Sequence, residues 1–409
     1  MNKKISLGLA ISLMAIAAAL TFIISTSYSV SLYNSLISDV QERAEMYQKL
    51  EQIDTYVRSY YNGTIDEDEL IESLAEAYIG VLSDAASGAS AEYYDENEYE
   101  LYQEHVSGTH LGIGIYFEDV GGCPSVTDII PNGPAEAAGI SVGDSIIEIN
   151  GYSVLEMGYD WAYAMLTSEA GTQLTLTVRS SGEDTSYTLS TVQMTVATVS
   201  SDRFDSYGYI KVTEFSEITY RQFIAAYLSL LSNSETTGII IDLRNNSGVI
   251  FDPVFNLLNV LLPEGSVPYI STSFDGTQSS GDLCDGTNTT SLPVVVLVNS
   301  RTSGSAELFA AALRDGLGAT IIGSTTAGSA QLTSVYSLYD STAISIPTAT
   351  LSGPLTEFSG TGVKPDYEVI IAADLNSDLK LLDETTDACI KKAIEVLSQS
   401  STTMVSDDD

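Results

Sequence analysis

Ser303-Gly304-Ser305 stands directly ahead of Ala306 to Asp315, an apolar run of helix-forming residues with Glu307 near its start. A serine at such a helix start is a candidate nucleophile for acyl transfer. It works only with a base within hydrogen-bond reach and with backbone N–H donors for the oxyanion. A lysine can be that base when burial lowers its pKa. Lys211 falls in a predicted core strand and Lys364 in a later loop motif, and the other lysines lie near the N-terminus, near residue 49 or in the last helix. His105 and His110 are the only two histidines and read as surface or linker residues. Ser303 and Ser305 therefore have hydroxyls but no evident base, and a one-residue shift on a helix turns a side chain by about 100°. Asp242, Arg244 and Glu307 read as groups that hold loops and helix ends. No cofactor is expected. Two histidines and the scattered Cys123, Cys284 and Cys389 make no zinc set. Asp275, Asp282 and Asp285 lack the ligand spacing of a calcium loop.

The elements that position these residues form three textures. Residues 30–105 read as helical, with Leu70, Leu74, Ala77 and Tyr78 at helical spacing in Asp66 to Leu82 and a short helix or loop over Tyr93 to Tyr102. From Gly108 the pattern becomes short strands: Leu111 to Phe117, Val126 to Ile130, Ser145 to Ile149 and Leu174 to Val178. A helix end is expected at Gly139 and a hairpin turn at Asn150-Gly151. From Val199 apolar strands at Gly208 to Val212, Gly238 to Leu243 and Pro293 to Val298 alternate with helical runs, which predicts an α/β layered core. Ser271 to Ser291 reads as a surface loop. Ser334 to Leu338 with Ala343 to Thr348 reads as hairpin strands, Thr386 to Leu397 as a closing helix, and Ser401 to Asp409 as a frayed acidic tail.

Two resemblances rest on particular motifs. Leu111-Gly112-Ile113-Gly114-Ile115, the turn Pro134 to Ile140 and Val142 to Gly151 resemble the PDZ domains of bacterial proteases. A glycine-containing loop there exposes N–H groups to a terminal carboxylate, and the next strand can pair with an extended peptide. The chain from about residue 40 to 398 resembles the carboxyl-terminal processing, or tail-specific, proteases. The motifs are Gly208-Tyr209-Ile210, Asp242 to Asn246, Leu297-Val298-Asn299, Ala306 to Asp315 and Gly362 to Asp366. The resemblance implies a ClpP/crotonase-like α/β core with an inserted PDZ domain and a Ser-Lys dyad. It also places each catalytic position on a residue that cannot fill it. With Glu307 fixing the register, the nucleophile position is Gly304, the base position is Ser329 and the assisting position is Thr333. The oxyanion turn is Asn246-Ser247-Gly248-Val249, and Thr167 stands where some relatives carry an arginine at the PDZ edge.

Five segments are expected: 1–28, a transmembrane signal-anchor; 29–106, an N-terminal helical segment; 107–192, the PDZ domain, and 193–400, the peptidase-like core, both implied by the resemblance; and 401–409, the acidic tail. Lys3 and Lys4 precede an apolar run from Ile5 to Ile24, long enough to span a bilayer with the basic end inside. A signal peptide cleaved near Ala17 to Ala19 is the alternative, and either places the bulk of the chain outside the cytoplasm. With 55 acidic and 16 basic residues the net charge is −39, which argues against nucleic acid as a partner. The expected partners are protein or peptide C-termini at the PDZ domain, the membrane at the N-terminus, and a second copy or an active relative. The expectation is an inactive, peptide-binding homologue. An active peptidase using Ser303 or Ser305 and a structural surface protein are the alternatives.

Overall fold

The computed structural model describes residues 44–82, 91–370 and 386–404. The apolar run expected to anchor the chain lies outside them, and among the described residues no helix is long and apolar enough to cross a membrane. The chain divides between Leu70 and Ile71 into two units. In the first, residues 44–60 are helical, and Arg58 donates to Asp54 and to both carboxylate oxygens of Glu67. The expected acidic-start helix spans Glu67–Gly80.

In the second unit the helical segment expected up to residue 106 is interrupted. Glu92–Tyr94 is a strand paired antiparallel with Ala343–Ser352. Helix Glu96–Ser107 follows, started by a capping box between Asp95 and Glu98 and stopped by Gly108 at φ 67°. Tertiary pairing overrides the local helical signal at Tyr93, because an edge of the long strand Ala343–Ser352 is there to be paired.

An antiparallel sheet then runs in the order Ile115–Val120, Cys123–Ile129, Ser145–Ile149, Gln173–Ser180, Glu183–Ser190, with Tyr152–Ser153 beside Ser145–Ile149. Asn150 and Gly151, at φ 52° and 82°, make the expected tight turn between the last-named pair. Ile113, Ile115, Ile146, Ile149, Leu174 and Leu176 form the buried core of this region. A separate ribbon, Thr109–Gly112 against Val192–Thr195, joins its entry to its exit.

The remaining core is a six-stranded sheet ordered Val199–Phe204, Tyr207–Val212, Gly238–Asp242, Val294–Val298, Thr320–Gly323, Tyr367–Glu368, with only its first pair antiparallel. Gly238–Asp242 and Val294–Val298 are buried at every residue, as parallel strands covered on both faces must be. Their side chains alternate between two cores. Ile239, Ile241, Val296 and Val298 pack with helices Thr219–Leu231, Asp252–Leu261 and Ser305–Leu317. Ile240, Val295 and Leu297 pack with Ile390, Ala393 and Leu397 of the closing helix. That helix spans Ala388–Met404, so residues 401–404 are helical rather than frayed tail, and 405–409 lie outside the described residues.

A second, five-stranded sheet centres on Ala343–Ser352, which pairs with Glu92–Tyr94, Gln331–Ser337 and Ile270–Ser273. Ile270–Ser273 and Gln278–Ser280 form a hairpin, so the stretch expected as loop from Ser271 opens with sheet. The sequence there is polar because both strands are half exposed or fully exposed.

Candidate functional site

Helix Ser305–Leu317 begins at the site, with Gly304 as its N-cap. Its residues from Ser305 to Leu313 are buried, and Phe309 packs edge-on against Phe215 and Phe223. The helix starts abruptly because Gly304 turns at φ 56°, ψ −123°, a conformation that residues with a Cβ rarely adopt. Glu307 reaches back to accept the Gly304 N–H at 3.1 Å. The same buried carboxylate accepts from Gly328 N–H and Ser329 N–H, each at 2.7 Å, and from the Thr326 hydroxyl. One side chain thus fastens the nucleophile position to the segment carrying the base position. Burial pushes the Glu307 carboxyl above the ordinary glutamate range, and its hydrogen bonds from Thr326, Gly328, Ser329 and Gly304 hold it partly back.

Gly304, Ser329, Thr333, Gly248 and Val249 all line one cavity of about 210 Å³. Residues distant in sequence are therefore brought together where the resemblance placed a catalytic centre. Glu92, Tyr94 and Ser345 line it too, with Ser247, Phe251 and Gln331. Glu92, Tyr94 and Ser345 carry no motif that marks them in the sequence. Ser303 and Ser305 do not line the cavity. The Ser303 hydroxyl donates to the Ser247 carbonyl at 2.5 Å. Ser305 is fully buried, and its hydroxyl has no hydrogen-bond partner.

The backbone around the cavity faces the wrong way for an oxyanion. The Gly248 carbonyl accepts the Ser305 N–H at 2.8 Å and sits where a Cβ on residue 304 would stand, too close for both to fit. In a planar trans peptide the Val249 N–H points opposite to that carbonyl, away from residue 304. The Gly248 N–H donates to Asn246 Oδ1 at 3.0 Å. The N–H groups of Gly304 and Ser329 go to Glu307.

Asp242 and Arg244, expected to hold loops, do so through a partner the sequence did not indicate. Arg244, 2% exposed, donates to Asp242 at 2.6–3.1 Å and lies 2.8 Å from Asp387. Tyr209 donates to Asp242 at 2.7 Å. Burial pushes the Asp242 carboxyl up, but attraction and hydrogen bonds from Arg244, with that of Tyr209, outweigh it and leave it below the ordinary aspartate range. Asp387 Oδ1 also caps the closing helix at Cys389 and Ile390.

Neither histidine lines the cavity. His105 pairs with Glu214 at 3.5 Å, the hydrogen bond that leads in raising its pKa. His110, expected at a surface or linker, is 3% exposed and bonds Glu104 at 2.8 Å. Strand alternation turns it inward against Tyr116.

At the glycine loop, Gly112 and Gly114 have φ 150° and 86°. The carbonyls of Ile113 and Gly114 accept from Ala135 and Ile130. The N–H groups of Gly114 and Ile115 therefore point away from those contacts. Ile113 and Ile115 are core side chains, and Leu111 N–H donates to Glu104. Strand Ile115–Val120 ends its sheet, beside helix Tyr159–Leu166, with Phe117 against Tyr163 at 5.7 Å. Thr167 caps that helix, its hydroxyl on the Tyr163 carbonyl.

Comparison with known proteins agrees with this architecture. Residues 206–369 match peptidase family S41 and residues 104–179 match the PDZ domain. The chain is 30% identical over 317 residues to the carboxy-terminal processing protease CtpA of Bacillus subtilis (strain 168), covering 76% of this chain and 66% of that protein. It is 31% identical over 244 residues to the carboxyl-terminal-processing protease of Synechocystis sp., covering 58% and 56%. The chain thus spans less than two thirds of the length of these two relatives. It belongs to peptidase family S41 and has the mixed α/β fold of that family with a PDZ domain.

Proposed function

We propose that this protein is a catalytically inactive S41 homologue that holds polypeptide segments rather than cutting them, held at the outer face of a membrane by its N-terminal apolar run. The observation that carries this is the position of the Gly248 carbonyl, which occupies the space a Cβ at residue 304 would need. Loss of the nucleophile, of the base at Ser329 and of the oxyanion donors together removes every element of the reaction. A single such loss already costs on the order of 10⁴ or more in rate. The PDZ-like loop and its open edge strand keep the features that peptide capture needs: a free strand edge, an aromatic helix beside it and outward N–H groups. Protein C-termini are the ligands proposed for that groove, and a second copy or an active relative the proposed assembly partner.

The test is a fluorophosphonate serine probe and an unstructured substrate applied to the full chain. No labelling and no cleavage are expected. Cleavage abolished by Ser303→Ala or Ser305→Ala would establish an active peptidase and end this proposal.

A further inference from the structure

The cavity beside Gly304 has reversed its polarity. Backbone donors that would greet an anion are directed elsewhere: Gly248 N–H to Asn246, Gly304 and Ser329 N–H to Glu307. Acceptors take their place. The Gly248 carbonyl faces residue 304, and Glu92 also lines the cavity, with the Tyr94 hydroxyl donating to its carboxylate at 3.1 Å. Glu92 and Tyr94 lie two apart on one strand, so they share a face, and Ser345 sits opposite Glu92 in the register. The hydroxyls of Ser329 and Thr333 add lone pairs, and among the described residues no lysine, arginine or histidine lines the space.

A second cavity of about 620 Å³ adjoins the first, sharing Val249, Phe251 and Thr333 with it. Its charged lining residues are Glu217 and Asp252, and Tyr99 and Tyr102 give it an aromatic wall. Strand Gln331–Ser337 runs beside both cavities. It pairs with Ala343–Ser352 on one side and with no other strand among the described residues. That free edge can receive an extended backbone. The smaller cavity lies below the size of most small-molecule sites and suits one side chain. A net charge of −39 concentrates cationic segments around it.

We propose that the vestigial catalytic cavity binds a lysine or arginine side chain, presented by an extended polypeptide laid along Gln331–Ser337. This rests on the inactive reading above and names the ligand class of that same site. The cation would donate to the Glu92 carboxylate, the Gly248 carbonyl and the hydroxyl oxygens of Ser329 and Thr333.

The experiment is fluorescence anisotropy with the full chain and a labelled, unstructured peptide carrying one central lysine, against the same peptide with norleucine. The lysine peptide is expected to bind about tenfold tighter, a ratio that falls as salt screens the pair. Glu92→Gln removes the anion and Ser329→Lys places a competing ammonium inside the cavity, and either change should bring the ratio close to one. The two variants perturb the site oppositely, so misfolding of one leaves the other as the test. Equal affinities, no binding by either peptide, or a ratio unchanged in the folded variants overturns the cation site. Displacement by spermidine as effective as by the lysine peptide overturns the choice of a polypeptide. Mass spectrometry of the same samples separates the two claims. A cut peptide overturns inactivity, while the lysine-to-norleucine ratio still decides the cation site.

Discussion

Two buried carboxylate clusters support the same sheet, and they are built on opposite principles. Among the described residues Glu307 pairs with no cation; hydroxyl and backbone groups donate to it. Asp242 shares Arg244 with Asp387, and Tyr209 closes the set. The first cluster fastens two loops of the cavity, whereas the second fastens the closing helix to the sheet. Their carboxyls shift in opposite directions, Glu307 up through burial and Asp242 down through Arg244 prevailing over burial. The contrast shows that charge pairing at Asp242 serves the packing of the chain. The Glu307 site instead serves local loop geometry, tying Gly304 to Thr326, Gly328 and Ser329.

The largest effect should come from breaking the paired cluster. Arg244→Ala leaves two carboxylates buried without their cation and should lower stability by about 3–5 kcal/mol. Urea melts monitored by circular dichroism measure it, and a loss below about 1 kcal/mol would mean Asp242 and Asp387 do not depend on that cation. The smaller effect belongs to Glu307→Gln, because the amide must turn an NH₂ toward groups that themselves donate. That costs about 1–3 kcal/mol.

The pH dependence sharpens the comparison. Glu307 has a raised folded-state pKa, so its contribution is fully present below the unfolded value of about 4.3 and is lost as pH rises through the folded pKa. Asp242 has a lowered one, so its contribution is present above about 3.9 and lost as pH falls through the folded pKa. The stability gap between wild type and Glu307→Gln should therefore narrow as pH rises from the glutamate range toward neutrality. The gap between wild type and Asp242→Asn should narrow as pH falls below the aspartate range. Melts across that range check both slopes, and slopes of the same sign in the two variants would break the contrast.

Gly304→Ala and Gly304→Ser come next. Either adds a Cβ at φ 56° against the Gly248 carbonyl, so both should cost about 1–3 kcal/mol, and by similar amounts. A serine much better tolerated than alanine would show that a hydroxyl still has a place prepared for it.

What was legible in the sequence follows from how local each determinant is. Glu307 fixed the register of the helix start, because a capping glutamate acts over a single turn. Within the family resemblance, that register put Gly304 at the nucleophile position, and the Gly323 to Ala330 segment put Ser329 at the base position. The α/β alternation was readable because parallel strands buried on both faces become continuous apolar runs. The direction of the Gly248 carbonyl was not readable, since it depends on one peptide rotation set by the Ser305 N–H and the Asn246 side chain. Asp387 was missed because its partner Arg244 lies on another element, and neither local pattern names the other. Glu92 and Tyr94 were hidden within a segment whose helical texture yields to strand pairing.

The smallest expected effect concerns recovery of reactivity. Gly304→Ser with Ser329→Lys restores the two side chains but leaves the Gly248 carbonyl in the way of the new Cβ. The double variant should stay unlabelled by the fluorophosphonate probe. Adding Val249→Gly removes the side chain that restricts the 248–249 peptide, so that peptide can rotate its N–H toward residue 304. Trace labelling is then expected from the triple variant alone, weaker than from an intact family member because the turn still bonds Ser305 in its present orientation. Strong labelling of the double variant would mean that the carbonyl yields easily. The side chains at 304 and 329, rather than the direction of the 248–249 peptide, would then decide reactivity at this cavity.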